Sequence, residues 1–322
     1  MPETRGKWTD LIPDVGLKIS ELFDQGDIEY QPGIFAILRQ DSGTGAQKNY
    51  TGKTGFGLVS QFVDGDDIGT IQRYKTYTTQ VIYTNYGGAV EVTKNTIEDR
   101  DFAQELGEMK DLSRAINYSV DQAGFQMFNG GFATTTNVNN YVMTWYGDGV
   151  PQYSTVHPTV VPGGSTQSNA SSTGVVLSHD NLETARIALE LQQTDNGKAL
   201  TMVGKTTLIV PLNLEKTARQ TLESAFTPES ANNAINIYRG MIDLMCTKFL
   251  DQLNGGSNTA WYLINQGVHK LYHDTRQEKR LEMDTNIRNK VVTFTVDARW
   301  ADHSREWKGT WASKGDTLAY SS

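Results

Sequence analysis

After Ile97, the residues Phe102, Leu106, Met109, Leu112 or Ser113, Ile116, Val120, Ala123 and Met127 recur at three- and four-residue steps along one unbroken stretch of the chain. That spacing is one face of an α-helix. Thr96 followed by Asp99 resembles a capping box, acids crowd the first turn, and Gly130 and Gly131 close the pattern. The expected helix, residues 96–128, is a rod of roughly 45 Å at about 1.5 Å per residue. Phe102, Leu106, Met109, Ile116 and Val120 are its expected core face. Glu98, Asp99, Asp101, Glu105, Glu108 and Asp111 form an acidic outer face that meets water. A rod this long exceeds the ordinary helix of a globular domain. It demands a fold organised around it.

Before the helix, TIQRYKTYTTQVIYTNYGG (70–88) is crowded with Thr, Tyr, Ile and Val, which favour strands. Alternation gives no single dry face, because both phases mix aromatic and polar side chains. Such a ribbon has little reason to pack on its own core. It reads as an arm laid on a neighbouring subunit, with Tyr74, Tyr77, Tyr83 and Tyr86 supplying contact area and a polar tip. Residues 1–48 hold only scattered apolar patches and one short helix, KISELFDQG, expected to end at Gly26. They form a second arm.

After the helix, 153–169 is a Pro/Gly-rich connector. Asp180 with Glu183 is expected to cap a helix running toward Gly197, TTLIVP (206–211) is a buried strand, and Asn213 is expected to cap a helix over 213–226. IDLMCTKFL and AWYLINQ read as strands, then a charged stretch (274–284) leads to VVTFTVDARW and WKGTW. Helices and strands alternate without regular βαβ spacing, so the class is α+β.

Chemistry finds little support. The chain of 322 residues carries a formal charge of −8, which gives no general footprint for gripping nucleic acid. One cysteine, Cys246, excludes an intrachain disulfide framework and any multi-cysteine zinc site. No signal peptide opens the chain, and no stretch approaches the roughly 18 apolar residues of a membrane span. TGKTG (51–55) and VGKTT (203–207) lack the first glycine of a phosphate loop, since positions 47 and 199 are Gln and Ala. His269 and His273 have the spacing of a helical zinc pair, yet a strand puts them about 13 Å apart, and the glutamate of HExxH is missing. Ser154 and His157 invite a hydrolase reading, but no GxSxG elbow is present and nothing in the sequence assigns Asp148 or Asp180 as the orienting acid. His157 is expected to be a structural hydrogen-bonding residue. No catalytic residue, metal ligand or cofactor site is expected, and the chain is expected not to be an enzyme.

Three stretches in this order resemble one family. YKTYTTQVIYTNYGGAVEVTKNTIEDRDF (74–102) is similar to an aromatic strand running into a T-x-x-x-I-E-D-D helix start, with Arg100 where an acid is commoner. GDGVPQYSTVHPTVVPGGSTQSN (147–169) and LELQQTDNGKALTMVGKTTLIVPLNLEKTARQTLES (189–224) complete the resemblance. It is to tailed-phage major capsid proteins of the Hong Kong 97 type, specifically the Mu-like major head subunits, and covers nearly the whole chain. WKGTW departs from the usual glycine-rich ending. The resemblance implies an N-terminal arm at 1–48, an E-loop at 49–93, a peripheral domain at 94–175 and 285–322 with a spine helix at 96–128, and an axial domain at 176–284. It implies a subunit that assembles as pentamers and hexamers into an icosahedral shell around double-stranded DNA, in the virion and built in a bacterial cytoplasm. A portal protein is an implied partner, with a decoration protein as an optional further one. Because Met1 leads directly into the arm, a separate scaffolding protein is expected. An encapsulin-type nanocompartment shell is the alternative with the same fold.

Overall fold

The computed structural model describes residues 20–56, 59–65, 67–93, 95–96, 103–224, 235–286, 288 and 290–318, with the side chains of 103–106 excepted. The long helix, α2, spans Ala103–Asn129. Met109, Ile116 and Val120 are buried along it, whereas Phe102 and the side chain of Leu106 lie outside the described residues. Asp99 of the expected capping box lies outside the described residues. The side chain of Thr93 accepts from the Thr96 N–H at 3.4 Å.

α2 lies on a six-stranded sheet whose axis is a long hairpin, β10 (Lys270–Asn286) with β11 (Val291–Glu306). β1 (Arg39–Ser42) runs parallel to β10 on the far side. The other edge of β11 is shared: β4 (Thr84–Thr93) pairs with its first ten residues, and β6 (Tyr141–Thr144), itself paired with β5 (Asn137–Val138), takes the end. Alternate residues of β11 (Val292, Phe294, Val296, Ala298, Trp300) are buried in the cores that α2 covers. The charged stretch 274–284, grouped by sequence with the block before it, is therefore an integral strand of this sheet. Its polar residues stand on a strand that β11 pairs along one edge, with bulges at Thr275/Gln277 and Gln277/Arg280, while β1 pairs the other edge only at Tyr272–Thr275.

The second layer is a four-stranded sheet in the order β12 (Thr310–Ser313), β9 (Trp261–Asn265), β7 (Thr206–Pro211), β8 (Ile242–Thr247). Both faces of β7 and β9 are covered, which is why they read as continuous apolar runs. Leu208, Val210, Trp261 and Leu263 face α3 (His179–Glu190) and α4 (Glu215–Glu223). Ile209, Tyr262 and Ile264 join the C-terminal turns of α2, where Phe128 meets Tyr262 edge-on at 5.3 Å. Three helix boundaries differ from expectation. Ser178, not Asp180, caps α3 by accepting from the Asn181 N–H at 3.2 Å, and α3 ends at Glu190 rather than near Gly197. α4 is entered through a 3₁₀ turn, Leu212–Leu214, with no side-chain cap from Asn213.

The N-terminal segment is no free arm over its described part. Residues 20–29 form a helix, α1, that continues through Gly26. This glycine serves a close crossing: a Cβ there would stand 2.5 Å from the Lys110 carbonyl oxygen of α2. Asp121 of α2, 3% exposed, then accepts from the Tyr30 hydroxyl at 2.6 Å and the Ile34 N–H at 2.8 Å. These bonds seat the fully buried Ile34 against the helix.

Candidate functional site

The connector at 153–169 holds the pair that a hydrolase reading would want. His157 Nδ1 lies 2.7 Å from Asp148 Oδ2, both side chains are buried, and the imidazole stacks on Trp307 at 4.3 Å. The expectation that Asp148 has no such role is thus corrected: the turn GDG brings it under the histidine from nine residues upstream. The nucleophile, however, is absent. His157 Nε2 faces Asn169 Oδ1 at 3.1 Å, and the same oxygen accepts the Ser154 N–H at 2.9 Å. Ser154 Oγ is turned to the Val156 N–H at 3.2 Å. Asn169 in turn donates to the Gln152 carbonyl at 2.8 Å and Thr310 Oγ1 at 3.2 Å. A sealed triad of Asp, His and Asn ties the connector to the turn before β12. It cannot reach a substrate, because neither its acid nor its base has exposed surface.

The other sequence candidates separate in the same way. Gly52 and Lys53 lie within a strand and Gly204 precedes β7, so neither GKT triplet opens a helix that could cradle phosphate. His269 lies between a turn at 266–268 and β10, and burial, aided by Arg39, pushes its pKa down to about 4. His273 sits on β10 with Nδ1 2.7 Å from Asp302 Oδ1. Among the described residues no cluster of three or more metal-ligating side chains occurs.

What does leave the body of the molecule is a hairpin. β2 (Gln47–Lys53) pairs only with β3 (Lys75–Ile82), forming a two-stranded sheet of its own. Beyond the strands, its irregular tip exposes Phe56 (57%), Val59 (82%), Phe62 (55%), Val63 (67%) and Ile68 (73%). Neighbouring apolar side chains left this bare are what a soluble surface avoids unless a partner covers them. Sequence reading spread the ribbon's contact role over four tyrosines, and the structure divides them. Tyr83, 3% exposed, is inside its own subunit with Val81 and Ala301, so its assignment to a neighbour is corrected. Tyr86 belongs to β4 and stacks on Trp300 at 4.1 Å. Tyr77 is half-buried, edge-on to Tyr146 at 5.7 Å. Tyr74 is half-buried at the distal end of the hairpin, its hydroxyl bonded to Gln72. The ribbon failed to show a dry face because its second half joins the central sheet while only its first half departs. The apolar tip is legible in FGLVSQFV only once a hairpin is known to hold it away from the core.

The root of the hairpin is polar and buried. Asp274 of β10, fully buried, accepts from the Tyr50 hydroxyl at 2.5 Å and from Arg305 at 3.1 Å. Arg305 also reaches Asp41 of β1 at 2.6 Å, and its guanidinium lies 3.6 Å from the ring centroids of both Tyr50 and Tyr272. Burial pushes the Asp274 carboxyl above its ordinary range, while the Arg305 hydrogen bond holds Asp41 below. His303 supplies a lone pair to Arg305 Nε at 2.9 Å, and burial with the adjacent guanidinium brings its pKa down to about 3. Behind the hairpin the Gly147 backbone presses on β3, where a Cβ would sit 2.1 Å from the Thr78 carbonyl oxygen.

A long helix on a sheet split by a projecting hairpin, with a separate helix-covered sheet, is an α+β fold resembling those of tailed-phage capsid subunits. The capsid of Ralstonia phage GP4 superimposes with a TM-score of 0.54 at 11% identity, over 87% of each chain. The bacteriophage JBD30 capsid gives 0.53 at 14% identity, over 69% of this chain and 92% of that one. Microbacterium phage Oxtober96 gives 0.52 at 14% identity, over 89% and 92%. At these identities the likeness is one of fold. No curated protein matches the chain. The model of the phage capsid protein family matches residues 75–312, and the chain belongs to that family. Its role is that of a capsid-like structural protein.

Proposed function

We propose that this chain is the major head subunit of a tailed phage, of the Mu-like kind, assembling as pentamers and hexamers into an icosahedral shell around double-stranded DNA. The observation that carries the reading is the projecting β2–β3 hairpin with its bare apolar tip, on a chain of the phage capsid family. Such a tip gains its contacts only against another copy, so a lone subunit is incomplete. The hairpin fills the role of the E-loop and α2 that of the spine helix. The two sheets correspond to the peripheral and axial domains. A net charge of −8 fits a shell that confines DNA without binding it by sequence. Scaffolding, portal and decoration proteins are the partners such a shell would use.

The test is replacement of Val59 and Phe62 by serine, with assembly followed by sedimentation and electron microscopy. The reading expects folded subunits with an unchanged melting temperature that fail to close into shells. Normal particles would refute it. Images of parental particles with tails and packaged DNA support the head-subunit assignment; tailless shells filled with protein cargo would overturn it in favour of an encapsulin-type compartment.

A further inference from the structure

The hairpin is joined to the body by little backbone hydrogen bonding, since β2 and β3 form their own sheet. Among the described residues, several contacts fix its direction, including Tyr77 edge-on to Tyr146 and, toward the tip, the Asn196 amide donating to the Gly55 carbonyl. Val81 and Tyr83 make a small apolar cluster with Ala301, and the Thr79 hydroxyl donates to the Ser304 carbonyl at 3.2 Å. Gly147 presses on Thr78. The contact at the root of the hairpin is the charged one. Arg305 lies against the aromatic faces of Tyr50, from the hairpin, and Tyr272, from the body, while its fork spans Asp41 and Asp274. The Tyr50 hydroxyl closes the ring on Asp274. His303 stacks on both tyrosines, within 15° of parallel, and holds Arg305 Nε. Flat groups interleaved in this way resist bending, and a guanidinium bonded on two sides fixes rotation as well as distance.

We propose that Arg305 and Tyr50 are positioning residues for assembly: their stack on Asp274 and Asp41 sets the angle at which the hairpin leaves the subunit. The step from angle to assembly rests on the head-subunit reading above. A tip aimed by a rigid joint docks on a second copy without first losing conformational freedom, whereas a tip on a loose joint must lose it on docking. Tyr50→Phe removes one hydroxyl and keeps the ring. Arg305→Lys keeps the charge but loses the fork and the flat stack.

The measurement is a distance distribution by electron spin resonance on unassembled subunits, with nitroxides at Lys75→Cys near the hairpin's end and Glu190→Cys on α3, in a Cys246→Ser background. The parent should give one narrow distance. Tyr50→Phe and Arg305→Lys should each broaden it about twofold or more, with circular dichroism unchanged. The yield of closed shells should drop in the same order. Narrow distributions in both variants would overturn the proposal. Should Arg305→Lys fold poorly, Tyr50→Phe decides the matter alone. The two readings fail separately: if the distances broaden while the Val59 and Phe62 variants still form shells, the joint stands and the docking role of the tip falls.

Discussion

Replacing His157 by alanine isolates the worth of the buried connector triad. The substitution leaves the Asp148 carboxylate, whose side chain has no exposed surface, with one remaining donor among the described residues, the Val150 N–H at a long 3.3 Å. Leaving a buried polar group without its hydrogen-bond partner costs about 1–3 kcal/mol. Loss of the ring stacked on Trp307 adds about 1 kcal/mol. At roughly 2 °C per kcal/mol, the summed loss of about 2–4 kcal/mol should lower the melting temperature by about 4–8 °C. The more discriminating measurement is a double-mutant cycle with Asp148→Ala, by urea unfolding of unassembled subunits, since assembly adds its own free energy. With the Asp148 side chain gone, His157→Ala should cost little beyond the ring contact, giving a coupling of about 1–3 kcal/mol. Losses that simply add, or a His157→Ala variant within about 1 kcal/mol of the parent, would refute the reasoning.

Two further outcomes follow from the same physics. Gly26→Ala gains about 1 kcal/mol of helix propensity, but its Cβ meets the Lys110 carbonyl at 2.5 Å, and overpacking against backbone costs about 1–3 kcal/mol; the net should be a loss, with limited proteolysis cutting ahead of Arg39 sooner than in the parent, and a slower cut would show that α1 is not packed this way. His269 and His303 have folded pKa values near 4 and 3, so between about pH 6.5 and 4 the unfolded chain takes up protons that the folded one refuses. Stability should therefore fall as pH drops through that window, by up to about 1.4 kcal/mol per unit for each histidine. Urea midpoints at pH 7 and 5 check this, His269→Asn should make the slope shallower, and a flat profile would contradict it.

Local periodicity determined a good deal by itself. The three- and four-residue recurrence from Met109 to Met127 fixes a helix because neighbours on its face are set by the backbone alone. TTLIVP reads as buried for the same reason: an unbroken apolar run is stable only where both faces of a strand are covered. The wording of three motifs, in order, was enough to indicate the family. Other features depend on residues far apart in the chain. Asp121 looks like one more acid on a helix until Tyr30 and Ile34 arrive from about ninety positions away to bond it. Tyr83 and Tyr86 look like the rest of a polar ribbon until β11 captures the second half of it. Asp148 gains its meaning from a turn, and Arg305 from Asp41, 264 positions upstream. Helices and strands report their own repeat; buried ion pairs, stacked rings and close backbone crossings report which segments the fold brings together, and only the tertiary structure supplies that.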